Sequence, residues 1–137
     1  MTTDRIVDAN GILLALVVTD RPPAATERFG IEFLTGPEHV LQVGVMRRPE
    51  GYVIQPHVHL PVLRESVGTP EVLFIRQGRV SVDFYDAYQV KVWSMVVEAG
   101  DVLILLAGGH GFTMLTEAVI EEVKVGPHLG DADKVKF

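Results

Sequence analysis

The sequence predicts an all-β domain with few or no helices, and three observations favour this fold class. Short runs of β-branched and aliphatic residues recur along the 137 residues, separated by breaks that the 13 glycines and 8 prolines supply. Several of these runs alternate apolar and polar residues, which is typical of half-buried strands. Helical spacing of apolar residues is weak throughout, so no long amphipathic helix is expected.

The runs follow one another at the short spacing that is typical of β-sandwiches and β-barrels. The predicted strands are Ile12–Val18, Val40–Arg47, Gly51–His59, Glu71–Arg76, Arg79–Tyr85, Lys91–Val97, Asp101–Leu106, Phe112–Leu115 and Val119–Val125. In the fifth of these, Val80, Val82 and Phe84 are expected to share one face, because side chains alternate along a strand.

The last predicted strand places Ile120, Glu122 and Lys124 together on one face. Weak helical periodicity occurs in Ala24–Phe33, where prolines and a glycine limit any helix to one or two turns. Residues 126–137 break the strand pattern. We expect them to form a tail that lies on the surface, wraps over a barrel or ends in a short edge strand.

The composition indicates a globular protein of a single domain spanning residues 1–137. Hydrophobic residues make up 47% of the chain and charged residues 22%, which supplies enough apolar surface for one core and argues against disorder. The chain has no cysteine. This excludes disulfides, zinc fingers, iron–sulfur sites and a cysteine nucleophile, so any metal site must use histidine and carboxylate ligands.

The charge and the hydropathy pattern argue against nucleic-acid and membrane partners. The formal net charge is −6, and basic residues form only short pairs, so nucleic-acid binding is not expected. The longest apolar runs, Ile12–Val18 and Val102–Ala107, are far shorter than the roughly 20 residues that cross a bilayer. The first follows acidic residues and is interpreted as a strand rather than a signal-peptide core, so we expect a cytoplasmic protein.

Three histidines and one glutamate form a candidate metal site. His57 and His59 are two positions apart on a predicted strand, so both imidazoles should project into one space. Glu71 follows a loop at the start of the next strand, and His110 follows a glycine pair later in the chain. Such ligands suit several divalent transition metals, and the residue types do not select one.

These residues belong to a pattern that resembles the cupin superfamily. The first cupin motif runs Gly, five residues, His-x-His, a gap, Glu, six residues, Gly. Gly51, His57, His59, Glu71 and Gly78 stand at those positions here. The gap between the second histidine and the glutamate is eleven residues, where the family usually has three or four.

The second cupin motif runs Gly, five residues, Pro-x-Gly, two residues, His, three residues, Asn. Gly100 and His110 take the glycine and histidine positions. Leu106 replaces the motif proline, the turn to His110 is one residue short, and Met114 replaces the asparagine. The two motifs occupy residues 51–78 and 100–114.

The resemblance implies a double-stranded β-helix, or jelly-roll barrel, that holds one metal at its mouth and tends to form homodimers. The implied ligands are His57, His59, Glu71 and His110, and Fe, Mn, Ni and Zn are the candidate metals. Glu65 is a rival for the carboxylate position because it is nearer to the His-x-His pair, but only Glu71 has the motif's spacing to the following glycine.

Residues around this predicted site could contact a small-molecule ligand. Arg64 is either a solvated loop charge or a partner for a substrate carboxylate or phosphate, which guanidinium matches in a bidentate way. Gln55 shares the strand face of the histidine pair and either lines the pocket or is a hydrogen-bonded barrel residue. Phe112 and Met114 share the face of His110 and form a candidate apolar wall.

Two classes of function remain open. The first is a mononuclear metal-dependent enzyme acting on a small molecule as an oxygenase, isomerase or lyase, with Glu65 and Tyr52 as candidate acid–base groups. The second is a non-catalytic cupin that binds a sugar or another small ligand. A metal-independent cupin of the nucleotide-sugar isomerase or epimerase type is a variant of the enzyme hypothesis.

Overall fold

The structure is a computed structural model, and it describes residues 2–19 and 29–137. Its described residues fall into two compact units. The first unit holds residues 2–19 and 69–137, and the second holds residues 29–68. Whether the chain is the single domain that the sequence predicts stays a prediction, so each unit is described by itself.

All of the regular structure in the described residues is β-strand. The strands are β1 (Thr2–Val7), β2 (Leu13–Thr19), β3 (Gly30–Phe33), β4 (Gly44–Arg47), β5 (Glu71–Gln77), β6 (Arg79–Tyr85), β7 (Lys91–Glu98), β8 (Val102–Leu105), β9 (Gly109–Met114) and β10 (Val119–Lys124). The all-β class predicted from the sequence is therefore confirmed. No helix in the part of the chain that the structure describes is long and apolar enough to cross a membrane.

The first unit is built from two antiparallel sheets. Five strands form one sheet in the order β1-β2-β8-β5-β10, and three form the other in the order β7-β6-β9. One hydrophobic core contains side chains from both sheets, so the sheets pack face to face as a sandwich. Neither sheet closes on itself among the described residues. The finer prediction of a jelly-roll barrel stays a prediction.

The alternation in β6 explains how the smaller sheet meets this core. Val80, Val82 and Phe84 are fully buried within the core, whereas the side chains between them lie on the opposite, more exposed face. The predicted face is thus confirmed. By contrast, every residue from Leu13 to Val18 in β2 is buried. An uninterrupted apolar run is what a central strand buried on both faces requires.

A glycine makes the tight connection between β5 and β6 possible. Gly78 has a φ of +87°, a conformation that residues with a Cβ rarely adopt. A Cβ at this position would also overlap the carbonyl oxygen of Glu117. The glycine that ends the first cupin-like motif is therefore required by the turn geometry alone.

The second unit contains one short hairpin, in which β3 pairs with β4. Residues 48–70 follow it without forming a strand, so the predicted strand Gly51–His59 is wrong. Only the last four residues of the predicted strand Val40–Arg47 form β4. The weak helical prediction at 24–33 lies partly outside the described residues, and its final four residues form β3.

Candidate functional site

Glu71 is the buried carboxylate at the start of β5. Along this strand Glu71, Leu73 and Ile75 alternate toward the core, and the two apolar members belong to the core cluster. Because side chains alternate along a strand, the Glu71 carboxylate lies on the same core-facing side as these two residues, and Glu71 is only 7% exposed. A buried carboxylate needs a partner to offset its lost hydration.

His110 supplies that partner from the facing sheet. It lies on β9 opposite Phe84 of β6, and Phe112 on the same strand packs against the core. Nε2 of His110 is 3.2 Å from Oε2 of Glu71. The structure thus brings together two of the four predicted metal ligands, which come from different motifs and different sheets.

Two further charged residues complete this cluster, and neither is among the site residues predicted from the sequence. Lys124 of β10 is the register partner of Glu71, and its Nζ lies 4.0 Å from Oε1 of Glu71. The same Nζ is 2.9 Å from Oε2 of Glu122. The signal was present in the alternation, because Glu122 and Lys124 share a face with Ile120, which packs against the core.

Burial dominates the electrostatics of the two central groups. It raises the pKa of Glu71, and the nearby charge of Glu122 raises it further, while Lys124 opposes the rise. Burial also lowers the pKa of His110. Both shifts favour the uncharged forms, so they oppose a Glu71–His110 ion pair and favour a hydrogen bond between the two side chains.

The outer pair behaves in the opposite way. The hydrogen bond from Lys124 lowers the pKa of Glu122, and the same bond raises the pKa of Lys124. Both groups are therefore held in their charged forms. The cluster thus combines two pairs. Burial favours the uncharged forms of Glu71 and His110, whereas the hydrogen bond between Glu122 and Lys124 keeps both of these charged.

The predicted apolar wall beside His110 is only partly buried. In the β9–β6 register His110, Phe112 and Met114 lie opposite Phe84, Val82 and Val80, which all face the core, so the predicted common face is confirmed. The ring centroids of His110 and Phe112 are 5.3 Å apart. Met114 is exposed at the strand end.

The other predicted site residues lie in the second unit, on the extended segment. The rings of His57 and His59 stand 5.3 Å apart, and Nδ1 of His57 is 2.8 Å from the carbonyl oxygen of Gln55. Both histidines are exposed, and the segment that carries them forms no strand. The exposed residues Tyr52, Gln55, Arg64 and Glu65 share this unit. Arg48 places its guanidinium 4.9 Å from the centroid of the Tyr52 ring.

The geometry of Glu71 and His110 fits a shared metal ion. Two ligand atoms that each lie about 2.1 Å from one metal are separated by about 3.0–3.4 Å at octahedral to tetrahedral angles. The 3.2 Å between Oε2 of Glu71 and Nε2 of His110 falls in this range. Within residues 2–19 and 29–137, however, no group of three or more His, Asp and Glu side chains is arranged to hold a metal.

A separate cleft of about 500 Å³ lies between the edge strands β1 and β7. It is lined by Asp4, Arg5, Ile6, Val7, Val92, Trp93, Ser94 and Met95. None of these residues belongs to the Glu71–His110 cluster. The candidate site is therefore the Glu71–His110 cluster, which holds two of the predicted metal ligands, and not this cleft.

Comparisons of the chain with protein-family models, with curated proteins and with solved structures return no match.

Proposed function

We propose that the protein binds one divalent transition metal through His57, His59, Glu71 and His110, and that it acts there on a small molecule. The observation that carries the proposal is the 3.2 Å approach of Glu71 Oε2 to His110 Nε2. These residues come from the two cupin-like motifs, and each was selected from the sequence as a ligand. The proposal is therefore that of a cupin-like metalloprotein.

The chemistry of the two central side chains suits this role. A histidine binds metal as a neutral imidazole, and burial lowers the pKa of His110 toward that form. A bound cation would offset the cost of burying the charge of Glu71, whose pKa burial raises. Four protein ligands would leave one or two coordination positions open, and a metal held there would polarise a substrate oxygen or lower the pKa of bound water.

Other residues of the chain have distinct parts in the proposed site. Lys124 holds Glu122 in its charged form, and its ammonium lies 4.0 Å from the Glu71 carboxyl. Phe112 places an aromatic ring beside His110 and keeps one side of the imidazole apolar. Arg64, Gln55, Tyr52 and Glu65 are proposed ligand contacts on the segment that carries the histidine pair. The homodimer and the cytoplasmic location stay predictions.

Metal analysis tests the proposal directly. Protein supplemented with Fe, Mn, Ni and Zn should contain about one metal ion per chain by plasma mass spectrometry, because the four proposed ligands would make up a single site. His57→Ala, His59→Ala, Glu71→Gln and His110→Ala should each lower occupancy by about tenfold or more. His128→Ala is the matched control, since this histidine is exposed in a loop outside the ligand set.

Two outcomes would contradict the ligand assignment. Wild-type protein that remains empty after supplementation with all four metals would overturn the metal hypothesis. Loss of metal in Glu65→Gln, with normal occupancy in Glu71→Gln, would transfer the carboxylate role to Glu65. Circular dichroism of each variant separates loss of a ligand from loss of the fold.

A second candidate is a metal-independent site, either a binding module or an isomerase-like enzyme. It is favoured by a specific observation: Glu71 already contacts His110 through one carboxylate oxygen and approaches Lys124 through the other. The cluster is thus satisfied without a cation, and Glu71 and His110 are positioned to exchange a proton. Unchanged ligand binding or turnover after complete removal of metal by a chelator would favour this candidate.

A further inference from the structure

The cleft between β1 and β7 opens where the edges of the two sheets meet. β1 is the last strand at one end of the five-stranded sheet, and β7 is the last at one end of the three-stranded sheet. The cleft volume of about 500 Å³ is in the range of small-molecule sites. All of its lining residues belong to the first unit. The cleft is therefore a candidate binding site of its own.

Apolar residues from both strands line part of this cleft. The register of β7 against β6 shifts at Val92, which is an extra residue without a register partner on β6. Val92 and Met95 line the cleft and also pack against the hydrophobic core. On the β1 side, Ile6 is itself a core residue. The cleft thus exposes one edge of the core, where an apolar group could be buried.

Trp93 adds an aromatic ring to the lining, and this ring is unusually exposed for its position. Trp93 is the register partner of Phe84, so its side chain lies on the core-facing side of the sheet. Phe84 is 1% exposed, whereas Trp93 is 57% exposed. Within residues 2–19 and 29–137, no aromatic or cation–π contact involves the Trp93 ring. Its indole is therefore accessible to a ligand in the cleft.

Asp4 supplies a carboxylate on the β1 side of the cleft. It is the register partner of the core residue Val17, so its side chain points to the core-facing side, as that of Ile6 does. Asp4 is exposed, and in the described part of the chain its side chain has no hydrogen bond or ion pair. Arg5, the other charged residue of the lining, lies on the opposite face of β1, because side chains alternate. The charge on the core-facing side is therefore negative.

We propose that this cleft binds a small organic cation, an ammonium group with alkyl substituents, which pairs with Asp4 and packs on the indole of Trp93. The indole attracts a cation through its ring quadrupole, and the carboxylate supplies the complementary charge. The alkyl groups are buried against Val92 and Met95, which favours binding through the hydrophobic effect. An anionic ligand would be repelled by Asp4. This site is independent of the proposed metal site.

A fluorescence titration tests the proposal, because Trp93 is the only tryptophan of the chain. Choline is the probe, and 3,3-dimethylbutan-1-ol, which has a similar shape without the charge, is the comparison. The full chain is treated with a chelator and kept at low ionic strength. Choline should change the fluorescence in a saturable way. The dissociation constant of the alcohol should be higher by about fivefold or more, because it lacks the cation.

Two substitutions test the two contacts separately. Asp4→Asn should weaken choline binding by about threefold, because the charge complementarity is lost. The same variant should bind the alcohol as wild type does, since the alcohol makes no ion pair. Trp93→Leu should weaken choline binding by about fivefold, because the aromatic ring is lost while an apolar side chain remains. This variant is compared with wild type by NMR titration, since it lacks the fluorophore.

Matched controls come from the same part of the first unit. Glu98 is an exposed acidic residue on β7, and Tyr88 is an exposed aromatic residue in the turn before that strand. Neither lines the cleft. Glu98→Gln and Tyr88→Leu should bind choline with dissociation constants within about 1.5-fold of the wild-type value, since isolated surface charges contribute little.

Three results would overturn the proposal: no saturable binding of choline to wild-type protein, equal affinity for choline and the alcohol, or wild-type affinity in Asp4→Asn. The second result would mean that the cleft takes apolar groups regardless of charge. Weaker choline binding in Asp4→Asn, with an unchanged circular dichroism spectrum and unchanged affinity for the alcohol, supports the proposal. Because the protein is metal-free in these titrations, their outcome does not depend on whether the metal proposal holds.

Discussion

Strand β6 and the segment at residues 53–60 have the same sequence pattern, but only β6 forms a strand. Both alternate apolar and polar side chains over about seven residues. In β6 the apolar face is fully buried, and Phe84 is 1% exposed. In the segment, Val58 and Leu60 are 84% and 77% exposed, and no strand forms.

The difference lies in partners rather than in propensity. β6 has a neighbour on each side, β7 and β9, and a facing sheet that covers its apolar side chains. No strand pairing with residues 53–60 occurs in the described part of the chain. Because an isolated strand loses conformational entropy without gaining ladder hydrogen bonds, alternation identifies a face but does not create a strand.

Truncation of a core side chain should show the largest contrast between the two regions. Phe84→Ala should lower the free energy of unfolding by about 3–5 kcal/mol, because it removes a fully buried ring from the core. Leu60→Ala, at an exposed position of the segment, should change it by no more than about 0.5 kcal/mol. Urea denaturation followed by circular dichroism measures both. Equal losses would show that Leu60 is buried in solution.

Two glycines, one beside β6 and one in the second unit, test the contrast between the packed strands and the strand-free segment at the level of the backbone. Gly78→Ala should cost about 2 kcal/mol or more, since it combines a positive φ with overlap against the Glu117 carbonyl. Gly68 also has a positive φ, +85°, but a Cβ there would meet nothing within 4 Å. Gly68→Ala should therefore cost only about 1 kcal/mol. Thermal denaturation compares the two, and an equally tolerated Gly78→Ala would contradict the crowded turn.

The outer face of the smaller sheet predicts a smaller, pH-dependent effect. Lys91 donates a 2.8 Å hydrogen bond to Asp83, which lowers the pKa of that carboxyl below its ordinary value. The native state therefore favours the ionised form, and this stabilisation is complete above the unfolded-state pKa and is lost as the pH falls through the native one. Asp83→Asn should be less stable than wild type at pH 7.

The stability difference between wild type and Asp83→Asn should shrink toward zero in strong acid, where both proteins carry an uncharged side chain at position 83. Urea denaturation at a series of pH values from 7 to 2 measures it. A difference that stays constant over this range would mean that the side chain stabilises the sheet through its neutral contacts instead.

Much of the first unit could be predicted from the sequence, whereas most of the second could not. The bounds predicted for β6 agree with the structure, and those for β5, β7, β8 and β10 differ by one or two residues. β1 was missed because only Ile6 and Val7 of its six residues are apolar, although Ile6 joins the core. The strand predicted at 51–59 was wrong because alternation carries no information about a partner.

The candidate site was likewise predictable from the sequence only in part. Glu71 and His110 were selected by motif and spacing, and the structure brings them into contact. Glu122 and Lys124 were placed on a common face, but that face could be recognised as part of a site only after β10 was paired with β5. The charged partners of a buried group are set by register between strands that are distant in the chain.

The sequence by itself determined the all-β class, the absence of cysteine chemistry and the faces of strands such as β6, because composition and side-chain alternation are local properties of the chain. Only the tertiary structure decided that Glu71, His110, Glu122 and Lys124 form one cluster and that β1 and β7 line one cleft. These contacts depend on sheet order and on the packing of two sheets. Both result from burying a common core, which no local pattern specifies.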